Sequence, residues 1–360
     1  MRDTINVLVV DDSSFMRKSL STLLSHDPQI EVIGTAPDGR FALKKLEQMC
    51  PDVITLDVEM PGMDGITTLA KIMEQRPTPV LMVSSLTQQS AAVTMQALDL
   101  GAVDFVAKPS GQISLDIDTV SGPIIAKVKA AARADVRKLM RRTAGTPTPA
   151  EWGSAPVPKP EPPARPRPEL GGPVTQLVAV GVSTGGPTTL MSILPKLPAD
   201  LPASIMLVQH MPGGFTRSFA ERLDQVSSIR VKEAEHGDQL RNGSAFVAPG
   251  GNHMTVTSER TLRISKEPHD TLHTPSVDVM MQSVIQVFGP RAVGVLLTGM
   301  GKDGAESMAA LRRRGAHTIA ESEKTAVVYG MPREAAARGG AEFVVPADHV
   351  AEKLVELVGG

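Results

Sequence analysis

Residues 181–187 read GVSTGGP, after the apolar run QLVAV (176–180) and before TTLMSILPKL. A strand that runs through a Gly-rich turn into a helix serves two chemistries. Backbone N–H groups of the turn can cradle a phosphate, or a serine can be held up at the strand end as a nucleophile. A phosphate-binding Walker loop needs Gly-Lys-Ser/Thr, and no lysine lies between 181 and 195. The dinucleotide fingerprint G-x-G-x-x-G finds Ser183 at its second glycine position. The acid it needs about 20 residues on is replaced by LPASIMLVQH. GVSTG does match G-x-S-x-G, and a following helix N-terminus favours negative charge forming nearby. Ser183 as a simple helix cap is the competing reading.

A serine hydroxyl needs a base near neutral pH. Of the eight histidines, His210 ends the apolar run SIMLVQH, which puts it on the same sheet edge as Ser183. His253, after APGGN, and His273, before TPSVDV, are rivals in loops. The base needs an orienting acid. Asp303 follows the strand-like AVGVLLTG within LTGMGKDGA, where glycines let backbone N–H groups approach an oxyanion. Asp303 could instead cap the helix that follows. The order Ser…His…Asp differs from the Ser…Asp…His of α/β-hydrolases.

The N-terminal half carries a different constellation. Asp11 and Asp12 end its first apolar run, Asp57 the third, Ser84 the fourth and Lys108 the fifth. In a doubly wound sheet these positions share one edge. Three carboxylates there repel one another unless a hard cation such as Mg²⁺ sits among them. Lys108 and Ser84 could then hold a phosphoryl group. Each aspartate alone could be a helix cap.

The elements that must position these residues alternate along the chain. INVLVV, IEVIGTA, DVITLDV, PVLMVS and VDFVAK are β-rich and are separated by amphipathic stretches such as GRFALKKLEQM. Five β/α repeats predict a parallel sheet over residues 4–125, with a trailing helix to about 142. Nine of the 29 prolines fall between Pro147 and Pro168, so 143–172 reads as an extended linker, with the lone Trp152 in it. From 173 to 357 the α/β pattern resumes, with QLVAVGV, SIMLVQH, SAFVAPG, AVGVLLTG, HTIAES and EFVVP as strands and TVTSERTLRIS as a hairpin. The fold class is α/β, two doubly wound parallel-sheet domains.

Bulk properties narrow the functions. Net charge is -2, which argues against an electrostatic grip on nucleic acid or anionic lipid. With Cys50 as the one cysteine no intrachain disulfide forms, and a reducing compartment fits. No apolar run approaches the roughly 20 residues of a membrane span, and MRDTINVLVVDD reads as a strand rather than a signal peptide. The expectation is a cytoplasmic protein without membrane insertion or nucleic-acid binding. Only 3% of residues are aromatic, so aliphatic side chains and methionine should build the cores.

The motifs VLVVDDS, LDVEMPGMDG and FVAKPS resemble the response-regulator receiver domain, a flavodoxin-like fold. That resemblance implies that Asp57 accepts a phosphoryl group from a chemotaxis histidine kinase and that Asp11 and Asp12 help to bind Mg²⁺. It places Ser84 and Phe105 at the switch positions and makes the Lys108–Pro109 bond cis. GVSTGGP, QHMP, APGGNHM, PSVDVM, LTGMGKDGA and YGMPREA resemble the receptor-glutamate methylesterases of bacterial chemotaxis, with a Rossmann-like catalytic domain. This second resemblance implies the triad Ser183, His210 and Asp303, an oxyanion contact from the Met300 backbone N–H, and Thr184 lining the site. It implies methyl-accepting chemoreceptors as substrates, deamidation of receptor glutamines, and no cofactor in the catalytic domain. A receiver joined to an enzyme further suggests phosphorylation-controlled access to the Ser183 edge. Two other classes compete: a signalling adaptor whose C-terminal half only binds, and a nucleotide-binding output.

Overall fold

The structure, a computed structural model, describes residues 4–108, 117–143 and 173–359. Pro109, Trp152 and the Pro-rich segment lie outside the described residues. The chain divides into two compact units, Met1–Ala155 and Pro156–Gly360.

The first unit alternates strands and helices: β1 (Ile5–Val10), α1 (Ser14–Leu24), β2 (Ile30–Ala36), α2 (Gly39–Gln48), β3 (Val53–Asp57), α3 (Gly65–Gln75), β4 (Val80–Ser84), α4 (Gln88–Asp99) and β5 (Asp104–Ala107). Two further helices follow, α5 (Ile117–Ala132) and α6 (Val136–Thr143). The sheet order is β2-β1-β3-β4-β5, all parallel. β3 and β4 are buried along their whole length, as strands covered by helices on both faces must be. Ser13, Asp38 and Asp64 cap α1, α2 and α3, so the strand-end aspartates do not serve as N-caps.

The second unit holds β6 (Gln176–Val182), α7 (Gly186–Ile193), β7 (Ala203–Gln209), α8 (Phe215–Val226), β8 (Arg230–Glu233) and β9 (Ser244–Val247). It continues with β10 (His253–Val256), β11 (Leu262–Ser265), α9 (Val277–Val287), β12 (Ala292–Leu296), α10 (Ala305–Arg313), β13 (His317–Glu321), α11 (Met331–Ala337), β14 (Phe343–Val345) and α12 (Ala347–Gly359). Seven strands form a parallel sheet in the order β14-β13-β12-β6-β7-β9-β8. β10 and β11 form the expected antiparallel hairpin, apart from that sheet. β8 is an edge strand that the sequence pattern does not announce. It has four residues, three of them charged, and only Val231 is buried.

β6 lies at the centre, and the winding direction reverses there: β7 is on one side and β12 on the other. In open parallel sheets, ligands bind at the carboxyl ends beside such a reversal. Helix α9 covers this strand. Its buried residues Val277, Met280, Met281, Val284 and Ile285 recur at helical spacing and form one apolar stripe. The N-terminal end of α9 comes very close to β6. A methyl group on Gly181 would lie 2.3 Å from Val277 Cγ1, and one on Gly304 would lie 2.5 Å from the same atom. Aliphatic residues and methionine dominate both cores, but Phe105, Phe215, Phe219 and Phe288 are the largest fully buried side chains. Among the described residues, no helix is long and apolar enough to cross a membrane.

Gly181→Ala is therefore expected to push α9 off β6 and cost about 1–3 kcal/mol by overpacking. Scanning calorimetry should show the transition of the second unit falling by roughly 2–12 °C. Adding Val277→Ala should recover part of the loss, and an unchanged transition would contradict the packing described.

Candidate active site

Three turns meet at the carboxyl ends of β6, β7 and β12, and backbone hydrogen bonds tie their roots together. Ser183 N–H donates to Thr298 O at 2.9 Å, and His210 N–H donates to Val182 O at 3.1 Å. Val182 and Gln209 are register partners, so Ser183 and His210 are the first residues past two adjacent strand ends. Such strands lie about 4.8 Å apart. Both side chains are buried to 8% exposure, and Thr184 to 2%. Ser183 does not cap α7: the N-cap is Gly185, and no side chain bonds there.

Asp303 reaches His210 from the far side of β6. His210 Nε2 lies 2.8 Å from Asp303 Oδ2. A carboxylate only accepts, so Nε2 carries the proton of this bond and Nδ1 is the nitrogen left to face the site. Among the described residues, this buried Nδ1 has no hydrogen-bond partner. Asp303 does not cap α10, whose N-cap is Gly304. It sits instead at the N-terminus of α9. Oδ2 also accepts from Val277 N–H at 2.7 Å, and Oδ1 accepts from Asp278 N–H at 3.0 Å and Ser276 Oγ at 2.9 Å. Burial opposes the charge on Asp303. The hydrogen bond and attraction of His210, with the α9 N–H groups, outweigh it and hold the carboxyl well below the usual range.

The two rival histidines have different places. His253 is fully buried on β10 and its Nδ1 accepts from Ser276 N–H at 3.1 Å. Nε2 faces Pro268 O at 3.1 Å. An accepting Nδ1 means a neutral ring, a form that burial favours, and it holds Ser276 against Asp303. His273 lies on the loop before α9, half-buried, with its ring stacked on that of His210 at 4.1 Å between centroids and 22° between planes.

Past β12, Gly299 presses on Ser183. A methyl group at Gly299 would lie 2.7 Å from Ser183 Cβ, so only glycine lets the 299–300 backbone come this close. Gly299 O accepts from Gly330 and Met331 N–H, which fixes the turn. Among the described residues, the Met300 N–H has no internal partner. Thr184 supplies its carbonyl to Thr298 Oγ1 at 2.9 Å. Gln209, Ser276, Val277 and the stacking of His273 on His210 are not among the candidates that the sequence offers. Ser-Val-Asp at the head of an apolar helical stretch was the available signal for the α9 N-terminus.

In the first unit, carboxylate oxygens of Asp11, Asp12 and Asp57 lie within 4.8 Å of one another. Asp11 and Asp57 are buried, and Asp12 is exposed. Lys108 Nζ is 2.7 Å from Asp57 Oδ2 and 3.4 Å from Asp11 Oδ2. Burial, reinforced by Asp11, pushes the Asp57 carboxyl up to about 6 despite Lys108. Burial raises Asp11 as well. Among the described residues, the buried Asp11 Oδ2 has only the 3.4 Å ion pair with Lys108 and no well-formed hydrogen bond. An all-oxygen donor set with a buried carboxylate oxygen so weakly partnered fits a hard divalent cation such as Mg²⁺. Ser84 is fully buried and accepts from Thr94 Oγ1 at 2.9 Å. Phe105 is also fully buried, with Lys127 Nζ 5.2 Å from its ring centroid.

Residues 178–354 match the CheB methylesterase family, and residues 7–117 match the response regulator receiver domain. A protein-glutamate methylesterase/protein-glutamine glutaminase of Symbiobacterium thermophilum is 51% identical, covering 99% of this chain and 97% of its own length. One from Pyrococcus horikoshii is 46% identical, over 98% and 94%. The crystal structure of the Thermotoga maritima CheB methylesterase catalytic domain is 39% identical. It covers 52% of this chain and all of that one, with a TM-score of 0.50.

The depressed Asp303 carboxyl contributes stability above the ordinary aspartate value of 3.8, and that contribution is lost as pH falls below it. Calorimetry of wild type and Asp303→Asn should show the second unit's transition higher in wild type at pH 7. The gap should narrow from about pH 5 downward. A gap that stays constant or widens in acid would contradict the assignment.

Proposed function

This chain belongs to the CheB family of protein-glutamate methylesterases/protein-glutamine glutaminases, a chemotaxis hydrolase with a receiver domain, and from that premise we propose that Ser183 is its nucleophile. The observation that carries this reading is the His210–Asp303 bond of 2.8 Å, which leaves His210 Nδ1 as a buried, unpaired base at the strand end beside Ser183.

Ser183 Oγ attacks the carbonyl carbon of a glutamate methyl ester on a methyl-accepting chemoreceptor, and His210 Nδ1 takes the hydroxyl proton. The oxyanion of the tetrahedral intermediate accepts from the free Met300 N–H, and Thr184 lines the site beside it. On collapse the C–O bond to the methoxy group breaks, and His210 returns the proton so that methanol departs. Water, deprotonated by the same nitrogen, then attacks the acyl-enzyme and releases the glutamate carboxylate and free Ser183. A receptor glutamine follows the same course with ammonia leaving. Asp303 stays ionised, keeps the proton on Nε2 and stabilises the imidazolium. The catalytic half requires no cofactor for these steps.

The receiver supplies control. Asp57 accepts a phosphoryl group from a chemotaxis histidine kinase. Mg²⁺ held by Asp11, Asp12 and Asp57 would offset phosphoryl charge. Lys108 pairs with that group, Ser84 leaves Thr94 to hydrogen-bond it, and buried Phe105 is the second switch position. The receiver restrains the catalytic half until Asp57 is modified. A tenfold activation needs only about 1.4 kcal/mol of difference between the two states. All these steps belong to the cytoplasm.

Methanol release from methylated receptor membranes tests both halves. Ser183→Ala should lose on the order of 10⁶-fold in rate. Asp57→Ala should keep a low rate that a small phosphodonor with Mg²⁺ does not raise. A Ser183→Ala chain that releases methanol like wild type would overturn the nucleophile assignment and favour a binding module. Deleting residues 1–172 should raise the rate above that of the unphosphorylated full chain. A rate no higher would refute the restraint.

A further inference from the structure

Gln209 occupies the last position of β7 and is fully buried. Its Nε2 donates to Ser183 O at 3.1 Å and to His210 O at 3.2 Å. Both acceptors are carbonyl oxygens, so the amide nitrogen must be the end that faces them. The two carbonyls belong to the residues read above as nucleophile and base. Each is the first residue beyond its strand. Ser183 O also accepts from Gly186 N–H at 2.8 Å, so two donors fix the orientation of the peptide plane after Ser183. The other end of the amide is held by packing alone, because among the described residues Oε1 is buried without a hydrogen-bond partner. Its Oε1 is packed against Gly186, where a methyl group would lie 2.1 Å from that oxygen.

We infer that Gln209 is a positioning residue for catalysis, a single amide that locks the peptide planes of Ser183 and His210 relative to each other. This rests on the reading of Ser183 and His210 as nucleophile and base. The two residues sit on separate strands, and the hydrogen bonds at the strand roots leave the planes beyond them adjustable. One buried side chain bonded to both planes restricts that freedom. Misplacement of reacting groups by about 1 Å can cost on the order of 10²-fold in rate. A clamp of this kind acts on kcat, because it touches neither substrate nor the reacting atoms.

The test uses the full chain, phosphodonor-activated, with methanol release from methylated receptor membranes as readout. Gln209→Met keeps the volume and removes the donors. Its kcat should fall about 10–100-fold with KM little changed. Gln209→Glu keeps the shape and regains one O–H donor when protonated, and burial favours the protonated form. Its kcat relative to wild type at the same pH should therefore rise as pH is lowered from 8 to 6. The corresponding ratio for Gln209→Met should stay flat. A folded Gln209→Met chain with wild-type kcat, or with a loss confined to KM, overturns the inference. If Gln209→Met does not fold, Gln209→Glu decides, and a ratio independent of pH overturns it. Ser183→Ala, run alongside, reports separately on the underlying reading: full activity there sinks the nucleophile assignment, whatever Gln209 does.

Discussion

The catalytic half is organised around one half-buried carboxylate. Asp303 accepts from His210, from two backbone N–H groups of α9 and from Ser276 Oγ. An ionised carboxylate largely removed from water is costly unless its oxygens are satisfied. Here the N-terminus of a helix supplies the donors, with its partial positive charge behind them. That requirement reaches deep into the fold. Helix α9 must end close to β6, which Gly181 and Gly304 permit. Ser276 must face inward, and the neutral His253 holds it there.

The two halves put acids at the same kind of sheet edge with opposite electrostatic outcomes. Asp303 is saturated with donors and its carboxyl is depressed. Asp57 has Lys108 on one oxygen and Glu59 N–H at 3.3 Å on the other, and stands against Asp11. Burial wins there, and the carboxyl rises to about 6. A carboxylate cluster short of donors attracts a cation or an electrophile that relieves it. A saturated carboxylate can only orient and stabilise its neighbour. The contrast in hydrogen-bond supply separates the two carboxylates.

Much of this was legible because it is local. Apolar runs ending in Asp11, Asp57, Ser84, Lys108, Ser183 and His210 mark strand ends, and in a parallel sheet every strand end of one kind faces the same edge. GVSTGGP read as strand, turn and helix from its own residues, and β6 and α7 lie there. β8 escaped notice because an edge strand of charged residues with a single buried side chain carries no apolar run. The reading of Asp303 as a cap of the following helix was plausible from spacing and is not what the fold does, since its donors come from α9, some 25 residues earlier.

The amino-acid sequence by itself determined the element types, the residues capable of chemistry and the edge they occupy, because propensity, apolar period and turn composition act within a few residues. Only the tertiary structure decided which strands are neighbours, and so which strand ends meet. It set β12 beside β6 and brought the α9 N-terminus onto Asp303. It also assigned Nε2 of His210 to Asp303, stacked His273 on His210, and bonded Gln209 to the carbonyls on either side. Those contacts join residues far apart in the chain. They depend on crossover connections and helix packing, which no short stretch of sequence specifies.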